Sequence, residues 1–132
     1  MYLLDSNLFL ELLLDQQKAD EVEQLLRRTP RERLHLSEFS VYSVGIVLFR
    51  HRLLGVFAQF LDELVLKGGV RVLRLSLQDI WGLPALAQRY NLDFDDAYQY
   101  GVAERYGLEI VSCDGDFDRT QKGRKTPAQI GV

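Results

Sequence analysis

Residues 110–123 read Ile-Val-Ser-Cys-Asp-Gly-Asp-Phe-Asp-Arg-Thr-Gln-Lys-Gly, placing Asp114, Asp116 and Asp118 within five positions directly behind an apolar run. Asp5 likewise follows an apolar stretch, and Asp95 and Asp96 open a helical one. Ligands of open parallel sheets bind outside the carboxyl ends of the strands, so these segments are expected to meet at one rim. Carboxylates about 5 Å apart repel by about 3 kcal/mol per pair at an effective dielectric of about 20. A divalent cation among them removes that penalty, and oxygen-only ligands suit Mg²⁺ or Mn²⁺. His35, His51 and Cys113 leave little from which to build a zinc site.

Each acid taken singly has a plainer reading. Asp5 suits a helix N-cap, Asp95 a cap or first-turn residue, and Asp96 a surface charge aligned with the helix dipole. Asp-Gly-Asp-Phe-Asp also suits a polar turn. An EF-hand loop is excluded, because Arg119 and Lys125 stand where Gly and a bidentate Glu are required. An aspartate-nucleophile phosphatase needs a second Asp two places after the first, where Asn7 stands, and a receiver domain needs an acidic pair at its first strand.

The elements that must position these residues alternate. Residues 2–4 form a short apolar strand stopped by Asp5, and helical sequence follows to about residue 28 in two pieces. Residues 33–37 read as a second strand. Ser37 caps a helix from Glu38 to about Leu54, on which Phe39, Tyr42, Ile46, Leu48, Phe49 and Leu53 recur at helical spacing. Residues 56–69 are amphipathic and end at Gly68–Gly69. Residues 70–76 alternate apolar and basic like a half-exposed strand, and residues 76–91 are helical with a break near Gly82 and Pro84. Residues 95–107 form a helix capped by Asp95 or Asp93 and ended by Gly107, and residues 108–113 form a last buried strand. The expected architecture is α/β, a three-layer α/β/α sandwich around a mainly parallel sheet, in one domain over 1–132.

At 132 residues, 47% of them hydrophobic and 27% charged, the chain reads as a soluble globular protein able to bury about two-thirds of its unfolded surface. The lone Cys113 permits no intrachain disulfide and fits a reducing, cytoplasmic setting; it reads as a small buried hydrophobe rather than a reactive thiol. Asp5, Glu11 and Asp15 interrupt the apolar N-terminal stretch and no basic residues precede it, which argues against a signal peptide or membrane span. The net charge of −3 excludes a constitutive nucleic-acid coat, although basic clusters occur at 27–33, 50–52 and 119–125.

Taken in order, the acids resemble the PIN domain family, whose members include the ribonuclease toxins (VapC-like) of type II toxin–antitoxin systems. The likeness spans nearly the whole chain and is strongest over residues 90–120. Asp5 with Ser6 behind it matches the family's first acidic residue, and Asp96-Ala97 its Asp-Ala helix start. Ser112-x-Asp114-x-Asp116-Phe117 is similar to the family's Thr-x-Asp-x-Asp-Phe signature. One position departs: where the family places a glutamate in the helix after the second strand, this chain has Ser43, and the nearest carboxylate is Glu38, five residues earlier.

The resemblance implies a metal-dependent endoribonuclease. Asp5, Asp96 and Asp114 would hold Mg²⁺ or Mn²⁺, with Asp116 binding directly or through water. Ser6 and Ser112 would orient those ligands, and Arg119, Lys122, Arg124 and Lys125 would grip the RNA backbone. It further implies a homodimer and a cognate antitoxin. Residues 7–15 and 56–66 could supply the dimer face, or could instead be core. Two other classes stay open: a PIN-like module that binds RNA or protein without cutting, and another Mg²⁺-dependent phosphohydrolase.

Overall fold

The computed structural model describes residues 1–130. Four strands, β1 (Tyr2–Leu4), β2 (Leu34–Ser37), β3 (Arg71–Leu73) and β4 (Glu109–Val111), pair in the order β3-β2-β1-β4. Every pairing is parallel, with Leu3 opposite both His35 and Ile110. Successive side chains of a strand point to opposite faces, so Leu4, Leu34, Leu36 and Val111 enter one core and Leu3 and Ile110 the other. A strand covered on both faces has no polar side, which is why β1 reads as an unbroken apolar run.

Parallel neighbours require crossovers, and helices supply them. On one face lie α1 (Ser6–Leu13), α2 (Ala19–Arg28), α3 (Glu38–Arg50) and α4 (Leu54–Phe60), contributing Leu8, Phe9, Leu25, Val44, Leu48 and Phe60 to that core. On the other lie α5 (Leu77–Trp81), α6 (Leu83–Tyr90) and α7 (Phe94–Tyr106), contributing Leu83, Tyr98, Tyr100 and Val102. The result is the expected three-layer α/β/α sandwich. Among the described residues no helix is long and apolar enough to cross a membrane.

Local signals account for most boundaries. Ser37 Oγ accepts from Ser40 N at 3.0 Å and starts α3, while Gly107, at φ +66°, ends α7 in the left-handed conformation that glycine adopts without strain. The cap of α7 is Asp93, which accepts from Asp96 N at 3.2 Å, and Asp95 lies inside the helix. Several elements differ from expectation: α3 ends at Arg50 rather than near Leu54, and the last strand narrows from 108–113 to Glu109–Val111. Strand 70–76 shortens to Arg71–Leu73. Helix 56–69 starts two residues earlier, then passes at Leu61 into a π-helical segment, Leu61–Leu66. The basic stretch after residue 119 carries an unforeseen pairing: Lys125 N donates to Ile110 O at 2.8 Å and accepts through its own carbonyl from Ser112 N at 3.0 Å, extending the sheet beyond β4.

The apolar stripe on α3 also divides. Val44 and Leu48 are buried, whereas Tyr42, Ile46 and Phe49 face outward and are more than half exposed. The helices considered for a dimer face instead place Leu8, Phe9, Phe60 and Leu64 in the core.

Phe117 is fully buried in the core it shares with Leu3, Tyr98, Tyr100 and Ile110, so it ties the acidic loop to that core. Truncating a buried phenylalanine costs about 3–5 kcal/mol. Phe117→Ala should lose stability on that scale in urea unfolding; a change below about 1 kcal/mol would mean that the loop does not depend on this anchor.

Candidate metal centre

The innermost group is the carboxylate of Asp5, only 6% exposed at the carboxyl end of the central strand. Asp5 occupies the N-cap position of α1, yet its side chain makes no capping bond. Ser112 Oγ donates to its Oδ2 at 2.8 Å, while Gln99 Nε2 and Ser6 Oγ approach Oδ1 at 3.4 and 3.5 Å. Burial pushes the Asp5 pKa above its usual value, and the Ser112 hydroxyl pulls against that rise.

Ser112 joins β4 to this carboxylate. While donating to Asp5, its hydroxyl accepts from Asp114 N at 2.9 Å and Asn7 Nδ2 at 3.1 Å. Asp114 in turn accepts from Asp116 N at 3.0 Å, starting a 3₁₀ turn over Gly115–Arg119. That turn brings Asp114 and Asp116 toward Asp96 in the first turn of α7, and one carboxylate oxygen from each of the three lies within 4.8 Å of the others. Burial, then Asp93, Asp5 and a hydrogen bond with Asp116, push the Asp96 pKa up to about 8.

Six aspartates, Asp5, Asp93, Asp95, Asp96, Asp114 and Asp116, line a cleft of about 190 Å³ together with Ser6, Asn7, Phe39 and Gln99. Among the described residues no basic side chain lines it. Beneath Asp5, Gln99 is 2% exposed; its Nε2 also donates to Ser40 Oγ, while its Oε1 is buried without a hydrogen-bond partner. Hard oxygen donors, mutual repulsion and an unpartnered buried oxygen together fit a divalent cation of the Mg²⁺ type.

The other candidates divide between the cleft and its surroundings. Glu38 does not line the cleft and reaches Arg74 Nη1 at 3.7 Å. Ser43 is half-buried on α3, outside the cleft lining. Asp95 lines the cleft, with its pKa raised by burial and by Asp93. Of the basic residues, Arg119 approaches Asp116 Oδ1 at 3.7 Å and donates to Asn91 O at 2.9 Å. Arg124 is taken up by Ser112 O at 3.0 Å and Asp118 Oδ1 at 3.2 Å. Lys122 and Lys125 line a separate groove beside β4. Sequence reasoning missed Asn7, Asp93, Ser40 and Gln99 as parts of this site. Gln99 carried a readable signal: it lies three residues after Asp96, on the same helix face, within an otherwise apolar buried stretch.

A family model described as "PIN domain" matches residues 2–123. Sequence comparison with curated proteins finds no match. Among solved structures, Mycobacterium tuberculosis VapC20, described as a sarcin–ricin loop cleaving toxin, superposes with a TM-score of 0.80 at 16% identity, covering 100% of this chain and 98% of its own. A toxin–antitoxin complex from Klebsiella pneumoniae gives 0.75 at 21% identity, covering 98% and 100%. FitAcB from Neisseria gonorrhoeae gives 0.73 at 18%, also covering 98% and 100%. At these identities the likeness concerns the fold.

Because its folded pKa is raised, Asp96 favours folding at low pH, and that contribution is lost as pH climbs toward the folded value. Metal-free wild type should therefore lose thermal stability relative to Asp96→Asn between about pH 4 and about pH 8. Scanning calorimetry across that window checks this; parallel pH profiles would show that Asp96 is not perturbed.

Proposed function

The chain belongs to the PIN domain family, and from that premise we propose that it is a metal-dependent endoribonuclease hydrolysing RNA phosphodiester bonds, the toxin of a type II toxin–antitoxin pair. The observation that carries this reading is the convergence of Asp96, Asp114 and Asp116 within 4.8 Å, above the buried Asp5. A Mg²⁺ or Mn²⁺ ion held there would supply Lewis acidity toward the phosphate and lower the pKa of a water enough to provide hydroxide as nucleophile near neutral pH. Asp96, Asp114 and Asp116 would hold that ion, with Asp5 completing the charge from below. Ser112 fixes two of these acids through one hydroxyl, and Ser6 lies at the cleft wall. Arg119 at the rim, with Lys122 and Lys125 farther along β4, would meet the RNA backbone; Arg124 instead braces the loop. An antitoxin partner is supported by the toxin–antitoxin neighbours, and an antitoxin or second subunit by the outward apolar residues of α3.

Ser43, where the family carries glutamate, favours a second reading in which the fold binds RNA or protein without cutting it. Metal binding separates the two. Calorimetric titration should show saturable Mn²⁺ binding by wild type and loss of it in Asp96→Asn. Asp114→Asn should cut RNA at least about a hundredfold more slowly, since even residues that only support metal ligands are worth 10–100-fold. Wild-type protein that neither binds Mn²⁺ nor cleaves RNA would sink the nuclease reading; cleavage of DNA alone would redirect it to another phosphohydrolase.

A further inference from the structure

Beside the acidic cleft stands an aromatic wall that metal chemistry does not explain. Phe39 lines the cleft and packs edge-on against Phe94, with centroids 5.7 Å apart and planes at 63°. Tyr98 backs both rings, at 5.7 Å from Phe39 and 6.2 Å from Phe94. Its buried hydroxyl accepts from Leu75 N at 3.0 Å, which pins the wall to the scaffold. Phe94, the first residue of α7 and two before Asp96, is nevertheless 51% exposed. A large apolar ring is thus held rigidly and left half open at the edge of a cleft otherwise lined mainly by carboxylates.

We propose that Phe94, backed by Phe39, is a stacking platform for one unpaired nucleobase of the RNA, next to the phosphate seated among the aspartates. This rests on the nuclease reading and adds to it the residue that seats a base beside the scissile phosphate. The neutral π-surface suits the chemistry: carboxylates repel a nucleotide's phosphate in the absence of a cation, whereas every base offers a face to an aromatic ring. A base locked in a duplex is already stacked on both sides and cannot use the platform. Rigidity matters equally, because a ring already ordered by Phe39 and Tyr98 loses little freedom when the base arrives.

The test measures fluorescence anisotropy of a short single-stranded RNA, intact or carrying one abasic position scanned along it, with Ca²⁺ replacing Mg²⁺. Wild type, Phe94→Leu and Phe94→Tyr are compared; leucine keeps apolar bulk against Phe39 but offers no ring. Stacking of one base is worth about tenfold in affinity. At one position the abasic site should weaken wild type about tenfold and Phe94→Leu hardly at all, while Phe94→Tyr behaves like wild type. Equal weakening of intact and abasic RNA by Phe94→Leu, or no sensitive position, would overturn the platform while leaving the nuclease reading in place. No RNA binding by wild type would overturn both.

Discussion

The site depends on one hydroxyl. Ser112 Oγ donates to the buried Asp5 carboxylate and accepts from the Asp114 amide and from Asn7, so β1, β4 and the acidic loop are tied at a single atom. Burial opposes the charge on Asp5, and only donors placed in the folded state can offset it. Losing the Ser112 donor would leave Asp5 with only the longer contacts from Gln99 and Ser6, so displacing Asp5 and displacing the loop both break the same hydrogen bonds.

The rest of the fold brings charge to that point and holds it. α1, α3 and α7 all begin within a residue or two of a strand's carboxyl end or of the acids themselves. Their N-termini place the positive ends of their dipoles toward the rim, softening the repulsion among the aspartates. From outside, Arg124 grips Ser112 O while Lys125 pairs with the β4 edge, so the basic stretch stabilises the loop rather than only presenting charge.

The sequence disclosed what rests on composition and period. The apolar runs of β1 and β4, the serine and glycine that bound α3 and α7, and the carboxylates that follow strands were all legible because their causes are local. Asn7 was not, since its partners Ser112 and Cys113 lie 105 and 106 residues away; Gln99 showed only as a lone polar residue in a buried stretch, without its partners. The Lys125 pairing was hidden for the same reason: nothing in a run of lysine, arginine and glycine marks it as a continuation of a sheet. Asp93 took the cap expected of either Asp93 or Asp95, a choice between neighbours that only backbone geometry decides. The outward stripe of α3 shows the limit of periodicity, which finds a helix but not which of two apolar stripes meets the core.

The distance along the chain between the parts of the site sets a clock. Asp5 precedes Ser112, Asp114 and the bracing Arg124 by more than a hundred residues. At ~5–20 residues per second, a ribosome needs on the order of ten seconds to deliver them. Throughout that interval the central strand has no β4 beside it and its carboxylate has no serine. A nascent chain therefore carries scattered, hydrated aspartates. The cleft comes into being only as β4 docks, so its chemistry is assembled well after the first of its carboxylates has been made.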